Sequence, residues 1–516
     1  MKRRGARNSH AWPALVVTAL TALGFAIRLR VAGQSVFADE LSTYWIVSSH
    51  DLGGVISTVH SNAEITPPLS FLLTWLTTRA GLSPELLRAP ALIGGTASIP
   101  LAYLVGVRTV GRFAAVLAAA LTALAPFMIY YSAEARGYGL AVALVMLSTL
   151  SMLCALDGGR ARWWLVYGAA SCAAVYTHYT TVFVLAAQLG WLLWAHRPAW
   201  RPALLVNAGA LVCFLPWYSG LAKDFTSPTT EILSRLSAFT PDAVRIALEH
   251  WSIGYPYSVF VPLHHLPGVP ALVLLALGLA AALVGLGRSA LRARGGLGAV
   301  RLDRRLVLVL ALGLAAPVGE ALVSGVATHL FGTRNLAVSW PGFALALAAL
   351  LAAAGPRLRL LTTALVVASF AFGAAKMLEP GYQRPDYRAL SRFVERTASP
   401  GDVAVEGAVI SPGPLSGLDV AFDRPLRVFR AGRPQERDHP FTLFDSVVPL
   451  SEVGRRAAAA GGRRIFLVAT KETVDVLAHE IGGGWLDRYR RLEVVSWPGI
   501  LRLAVGVYAR RPSPRG

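Results

Sequence analysis

"WPALVVTALTALGFAIRLRVAGQSVFADE" occupies residues 12–40, and its reading decides what kind of chain this is. Trp12 to Ile27 carries no charge, Arg28 and Arg30 follow, and the adjacent acids Asp39 and Glu40 come next. An apolar helix of about 20 residues is long enough to cross the hydrocarbon core of a bilayer. If this one crosses, the two acids stand where the chain leaves the lipid. Comparable runs recur as far as residue 376. The 516 residues are 54% hydrophobic and only 15% charged, with a mean hydropathy of +0.52. Soluble domains carry about 25% charged residues. The sequence is that of a multi-pass membrane protein.

The basic start "MKRR" before an apolar run has the look of a signal peptide. That run ends in Arg28-Leu29-Arg30 and many spans follow, so it reads as an uncleaved first span with a cytoplasmic N-terminus. Further spans are expected near 86–107, 113–131, 137–156, 162–178, 180–195, 203–220, 268–287, 305–324, 335–354 and 358–376. In this arrangement the arginine-rich loops "RTVGR", "DGGRAR", "HRPAWRP", "GRSALRARGGLGAVRLDRR" and "GPRLR" all fall inside, as the positive-inside rule requires. The net charge of +20 is therefore topological, and no nucleic-acid partner is implied. Membrane lipids are the surroundings this composition calls for.

The expected fold is an all-α polytopic domain over residues 1–377, with about eleven transmembrane helices, followed by an extracytoplasmic α/β domain over 378–516. Segment 36–84 should stay outside. Two amphipathic pieces, one after Asp39 and one from Pro67 to Arg79, are interrupted by "ITPPLS" and suit interfacial helices. In the tail, "YQRPDYRALSRFVERTASPGD" and "ETVDVLAHEI" read as helices. "DVAVEGAVI", "LRVFR", "RRIFLVAT" and "LRLAVGVYARR" read as strands. Cys154, Cys172 and Cys213 lie inside apolar runs and read as small packed residues.

Unusual polar residues collect at the expected outer ends of spans. They are Arg28, Arg30, Asp39 and Glu40, then Glu64 beside Pro67 and Pro68, then Glu134, Arg136 and Tyr138 in "YYSAEARGY". His178 in "THYT", Lys223 and Arg334 complete the set. Ionisable groups converging on one face of a membrane protein suggest a cavity. Each has a plainer reading. Asp39 suits a helix N-cap as well as a base, and the roles are compatible. Arg136 and Arg334 could snorkel to headgroups, His178 could be packed at the interface, and Pro67-Pro68 could be a rigid turn. There is no HExxH, Cys/His metal pattern, GxSxG or P-loop.

In order along the chain, "ADE", "ITPPL", "SPELLRAPALIGGTASIPLAYLVG", "YYSAEARGY", "THYT" and "TRNLAVSWPGFAL" resemble the family 39-like membrane glycosyltransferases of the GT-C superfamily. That group includes the protein O-mannosyltransferases and the bacterial aminoarabinose transferase. The resemblance spans residue 11 to about 400. Two positions depart from the pattern: Thr66 stands where the family often has His before Pro-Pro, and Arg334-Asn335 where it often has Arg-Tyr. Both should touch donor or acceptor, so the substrate is not inherited from any one relative.

The resemblance implies transfer of a sugar from a polyprenyl-phosphate carrier to an acceptor hydroxyl of a glycan, lipid or protein, on the outer face of the plasma membrane. It also implies Asp39 as general base, with Glu40 and Glu134 orienting the acceptor or sharing charge. The departing lipid phosphate is an anion, which cations stabilise. Arg136 and Arg334 are the first candidates, with Arg28, Arg30 and Lys223 behind them. Glu64, Pro67, Pro68, Tyr138 and His178 would bind substrate. A divalent cation could sit among Asp39, Glu64 and Glu134, since hard cations take carboxylate oxygens, but no spacing requires one. A transporter or flippase is the rival reading; paired halves with matching interrupted helices would favour it, and none is seen. A sensory receptor lacks a cytoplasmic output domain.

Overall fold

The computed structural model describes residues 2–512 except 228–229, 231–238, 257–260, 293–302, 328, 330, 408–414, 424–425, 433–446, 461–462 and 482–487. The centre of the long arginine-rich loop, residues 408–410 of the first expected strand and Ser513 therefore lie outside the described residues. Two compact units emerge. One comprises 1–32 and 50–377, the other 33–49 and 378–516.

All eleven segments expected to span are helical in the first unit. Length and composition set a lower count: among the described residues, eight helices are long and apolar enough to cross a bilayer, and a bent pair makes a ninth. The remaining two, Ala161–Thr177 and Thr181–Ala195, have 17 and 15 residues. They form a short hairpin tied in by a buried polar network. Gln188 donates to Thr149 Oγ1 at 2.9 Å and accepts from Ser148 at 2.9 Å, while Ser148 meets Ser171 at 3.0 Å. Such side chains bind helices together where lipid offers no hydrogen-bond partner. Close approach does the rest: a Cβ on Gly139 would lie 2.5 Å from the Ala91 carbonyl oxygen, so Tyr138–Gly158 packs backbone to backbone on Ala89–Thr109.

The bent pair is Arg112–Leu124 and Pro126–Ser132, at 61°. Pro126 supplies no N–H, so carbonyls of the preceding turn lose their donors. Arg28 replaces them, donating to Thr122 O at 2.7 Å, Ala123 O at 3.0 Å and Gly24 O at 3.1 Å. The guanidinium is fully buried.

The second unit is built on a six-stranded sheet in the order β3-β2-β1-β4-β6-β5. Its strands are β1 (Val403–Gly407), β2 (Arg427–Gly432), β3 (Val447–Pro449), β4 (Arg464–Thr470), β5 (Tyr489–Trp497) and β6 (Leu503–Arg510). β1 to β4 run parallel and β6 pairs antiparallel with β4 and β5. β1 is buried throughout, as a parallel strand covered on both faces should be. Val405 and Leu467 join Val453, Leu477 and Ala478 in its core.

Segment 33–49, read from sequence as part of the membrane domain, belongs to this second unit. Arg384 Nε approaches the Glu40 carboxylate at 3.4 Å, both side chains 1% exposed. The Arg384 N–H donates to Gln34 Oε1 at 3.1 Å, and Arg388 donates to the Gly33 carbonyl at 3.1 Å. These bonds fasten the helix Asp39–Ser49 to the start of the helix Tyr387–Thr397.

Candidate active site

At one end of the helix bundle, short connections between spans enclose a cavity of about 290 Å³. The segment before Leu69–Thr78 contributes Thr66. The turn before Tyr138–Gly158 contributes Arg136, and Tyr138 is that helix's first residue. His178 and Tyr179 come from the short hairpin, Asp224 from Tyr218–Phe225, and Arg334 and Asn335 from the 3₁₀ segment Thr333–Ser339. Four of the expected site residues touching this sequence region thus line one space: Arg136, Tyr138, His178 and Arg334.

Arg136 is held from behind by Glu64 through two parallel hydrogen bonds of 2.7 and 2.8 Å. That fork matches carboxylate geometry and fixes the guanidinium plane. The Tyr138 ring lies 5.0 Å from the His178 ring. His178 Nδ1 meets Thr180 Oγ1 at 2.8 Å. Burial first, then the charges of Arg136 and Arg334, lower the His178 pKa to about 3. The ring is a neutral imidazole in this site and no base of ordinary strength. Tyr179 donates to Asp224 Oδ2 at 2.5 Å and accepts from Trp217 Nε1 at 3.1 Å. Burial, then Asp224, raises its pKa.

Beside this cavity lies an apolar groove of about 840 Å³, lined by Pro68, Trp164, Gly168, Tyr176, Gly209 and Trp217 among others. The two spaces adjoin. Thr66 faces one and Pro68 the other, and Trp217 of the groove donates to Tyr179 of the cavity. Cys172 and Cys213 line the groove as free thiols.

The other expected residues are placed elsewhere. Arg28 is a buried clasp on the bent helix and does not line the cavity. Arg30 is exposed in the last turn of Lys2–Ala32. Lys223 is exposed and meets His60 Nδ1 at 3.1 Å. Glu134 is buried next to the cavity turn, where its carbonyl accepts from Arg136 N–H at 2.7 Å. Pro67 is buried, while Pro68 precedes the helix Leu69–Thr78.

Asp39 and Glu40 sit in the second unit. Asp39 is the first residue of its helix, not the cap before it. The reach-back bond comes from Glu40 instead, whose Oε2 accepts from Phe37 N–H at 3.4 Å. Ala38, just ahead of Asp39, has φ of +52°, a left-handed conformation unusual for a residue with a Cβ. Glu40, expected to orient an acceptor, is paired with Arg384. Among the described residues no three His, Cys, Asp or Glu side chains gather as metal ligands, so the cation considered for Asp39, Glu64 and Glu134 has no cluster to rest on.

Residues 66–219 match the family described as dolichyl-phosphate-mannose-protein mannosyltransferase. The fold is that of ArnT from Cupriavidus metallidurans, solved bound to undecaprenyl phosphate, with a TM-score of 0.53, 14% identity, and coverage of 96% of this chain and 98% of that one. The likeness shows a GT-C-like fold. The oligosaccharyltransferase of Archaeoglobus fulgidus, tethered with an acceptor peptide, shares the fold with a TM-score of 0.51 and 13% identity, over 98% of this chain and 74% of that one. No curated protein matches the sequence. The segment that matches the family carries Thr66, Pro67, Pro68, Glu134, Arg136, Tyr138 and His178.

Two acids that line this cavity stand outside the candidate set read from sequence. Asp224 was visible only as part of a loop, and Glu320 went unremarked. The signal for Glu320 was there: it is the lone acid in the span "LVLVLALGLAAPVGEALVSGV". Intramembrane ionisable residues are functional candidates by default.

Proposed function

We propose that this protein moves a sugar from a polyprenyl-phosphate carrier to an acceptor hydroxyl, on the outer face of the membrane. The observation that carries the reading is the pairing of a polar cavity holding two guanidiniums with an adjoining apolar groove. A lipid-linked sugar phosphate has the same two halves. Its isoprenoid chain would lie in the groove and its phosphate against Arg136 and Arg334. As the sugar leaves, negative charge grows on the lipid phosphate, and fixed guanidiniums in a water-poor site stabilise that charge strongly. The carrier leaves as a stable anion, so no general acid is required.

The acceptor hydroxyl needs a base. Asp39 takes its proton as the glycosidic bond forms, in the role the family resemblance gives it, and Glu134 shares the charge. ArnT, with the same fold, was solved with undecaprenyl phosphate bound, which supports the carrier class.

The test uses purified full-length protein in nanodiscs with undecaprenyl phosphate and undecaprenyl-phosphate monosaccharides. Binding of the free carrier, weakened by Arg334→Ala and by filling the groove with Gly209→Trp, is expected, together with transfer to an added acceptor. Movement of the lipid across the bilayer without any transfer to acceptor would mark a flippase instead.

A further inference from the structure

The cavity holds an acid that the proposed chemistry does not use. Glu320 lies in the helix Arg304–Val326 and is 5% exposed. Local sequence explains how an acid reaches this wall. Gly319 lets the helix close on its neighbour, since a Cβ there would lie 2.2 Å from the Phe183 ring. Pro317 interrupts the backbone ladder of the same turn. The Ala316 N–H donates to Ser339 Oγ at 2.8 Å, which pins the helix to the 3₁₀ segment carrying Arg334 and Asn335. The side-chain amide of Asn335 hydrogen-bonds one side of the Glu320 carboxyl group. The other oxygen, Oε2, is buried and has no hydrogen-bond partner among the described residues. A buried acceptor left this way is costly, and proteins rarely keep one without a use.

Two observations say what would satisfy it. The cavity, at about 290 Å³, is at the small end of the roughly 300–1,000 Å³ range of ligand sites, a size for one sugar ring and not for a chain of them. Arg136 and Arg334 line the same space as Glu320 and Asp224, so cations and acids are both already in place and a neutral hydroxyl brings no charge to be balanced.

We propose that Glu320 determines donor specificity by accepting a hydrogen bond from a hydroxyl of a single neutral sugar ring, seated between Glu320, Asn335 and Asp224. The proposal rests on the reading of the cavity as the donor site. Glu320 acts on recognition and takes no part in bond making or breaking.

Displacement binding with the full chain in nanodiscs tests it, using undecaprenyl phosphate, its mannosyl and glucosyl forms, monodeoxy analogues of each, and an amino-sugar form. Free undecaprenyl phosphate should bind wild type, Glu320→Gln and Glu320→Ala equally. A neutral monosaccharide form should bind wild type more tightly than free carrier. Glu320→Ala should reduce that advantage roughly three- to ten-fold, as expected for the loss of one hydrogen bond. Glu320→Gln, which keeps shape and one acceptor oxygen, should recover part of it. One monodeoxy analogue should lose the same factor on wild type and nothing more on Glu320→Ala. An unchanged advantage in both variants overturns the proposal, as does an amino-sugar form that outbinds every neutral one. Wild type that binds free carrier but no monosaccharide form any better removes the sugar subsite while leaving the carrier reading intact. Failure to bind even free carrier removes the donor-site reading itself, and this inference with it.

Discussion

Arg136 grips Glu64 through hydrogen bonds of 2.7 and 2.8 Å between side chains 8% and 7% exposed. The pair makes Arg136 a fixed cation with one face committed and the other turned to the cavity. Breaking such a pair by removing one partner leaves an uncompensated buried charge, at roughly 3–5 kcal/mol. Arg136→Ala should therefore lower the melting temperature and abolish carrier binding together. The double variant Glu64→Gln, Arg136→Met should regain stability without regaining binding. Thermal melts and carrier titration check this. Carrier binding that returned with stability would make Arg136 purely structural.

Asp39→Asn separates folding from catalysis. Asp39 opens a helix, and a carboxylate near a helix N-terminus is worth only about 0.3–1 kcal/mol. Loss of general-base help costs roughly 10²–10⁴ in rate. The variant should melt near wild type, bind carrier normally and transfer at that reduced rate. Wild-type turnover would reduce Asp39 to a helix-end charge.

Two buried groups give stability opposite dependences on pH. Burial, the main cause, raises the Glu406 pKa to about 7. A carboxyl raised above its unfolded value near 4.5 stabilises fully below that value and loses the contribution as pH climbs through 7. Hydrogen exchange on β1 should accelerate over that interval and lose the dependence in Glu406→Gln. His178 runs the other way. Its pKa is lowered to about 3, so its contribution is present above about 6.5 and fades as pH falls towards 3. Rates measured between pH 5 and 8 should show no limb that disappears in His178→Asn.

The expected topology places the chain's two ends on opposite sides of the membrane. In a background with Cys154, Cys172 and Cys213 replaced by alanine, cysteines introduced at Ser9 and Ser513 should label from opposite faces of sealed vesicles. Labelling of both from one face would displace the cavity from the outer side.

Hydropathy made the helical bundle legible because each span must satisfy its backbone within itself. The gathering of Arg136, Tyr138, His178 and Arg334 followed from alternation, since all four flank the same ends of spans. Partner choice was not legible. Arg28 looked like another cavity cation, but its carbonyl partners appear only because Pro126 breaks a helix far along the chain. Glu40 looked like a second acid for Asp39, but Arg384 claims it from beyond the last span. In the tail, four strands were expected and the described residues form six. β3 has only three residues, and β5, "YRRLEVVSW", is exposed along most of its length. Short or charge-bearing edge strands give weak alternation signals.

The Arg28 clasp also bears on how the protein is made. The guanidinium is synthesised some 95 residues before the Ala123 carbonyl that receives it. An arginine at the centre of an inserting helix costs about 2.5–3.5 kcal/mol. Arg28 lies one turn from the helix end at Ala32, so it can reach up to headgroups while it waits. Burial of the charge is matched by the carbonyls of the broken helix, so the two helices depend on each other. The helix Lys2–Ala32 is thus held by one that follows it in the chain, through a single guanidinium and the carbonyls that a proline leaves open.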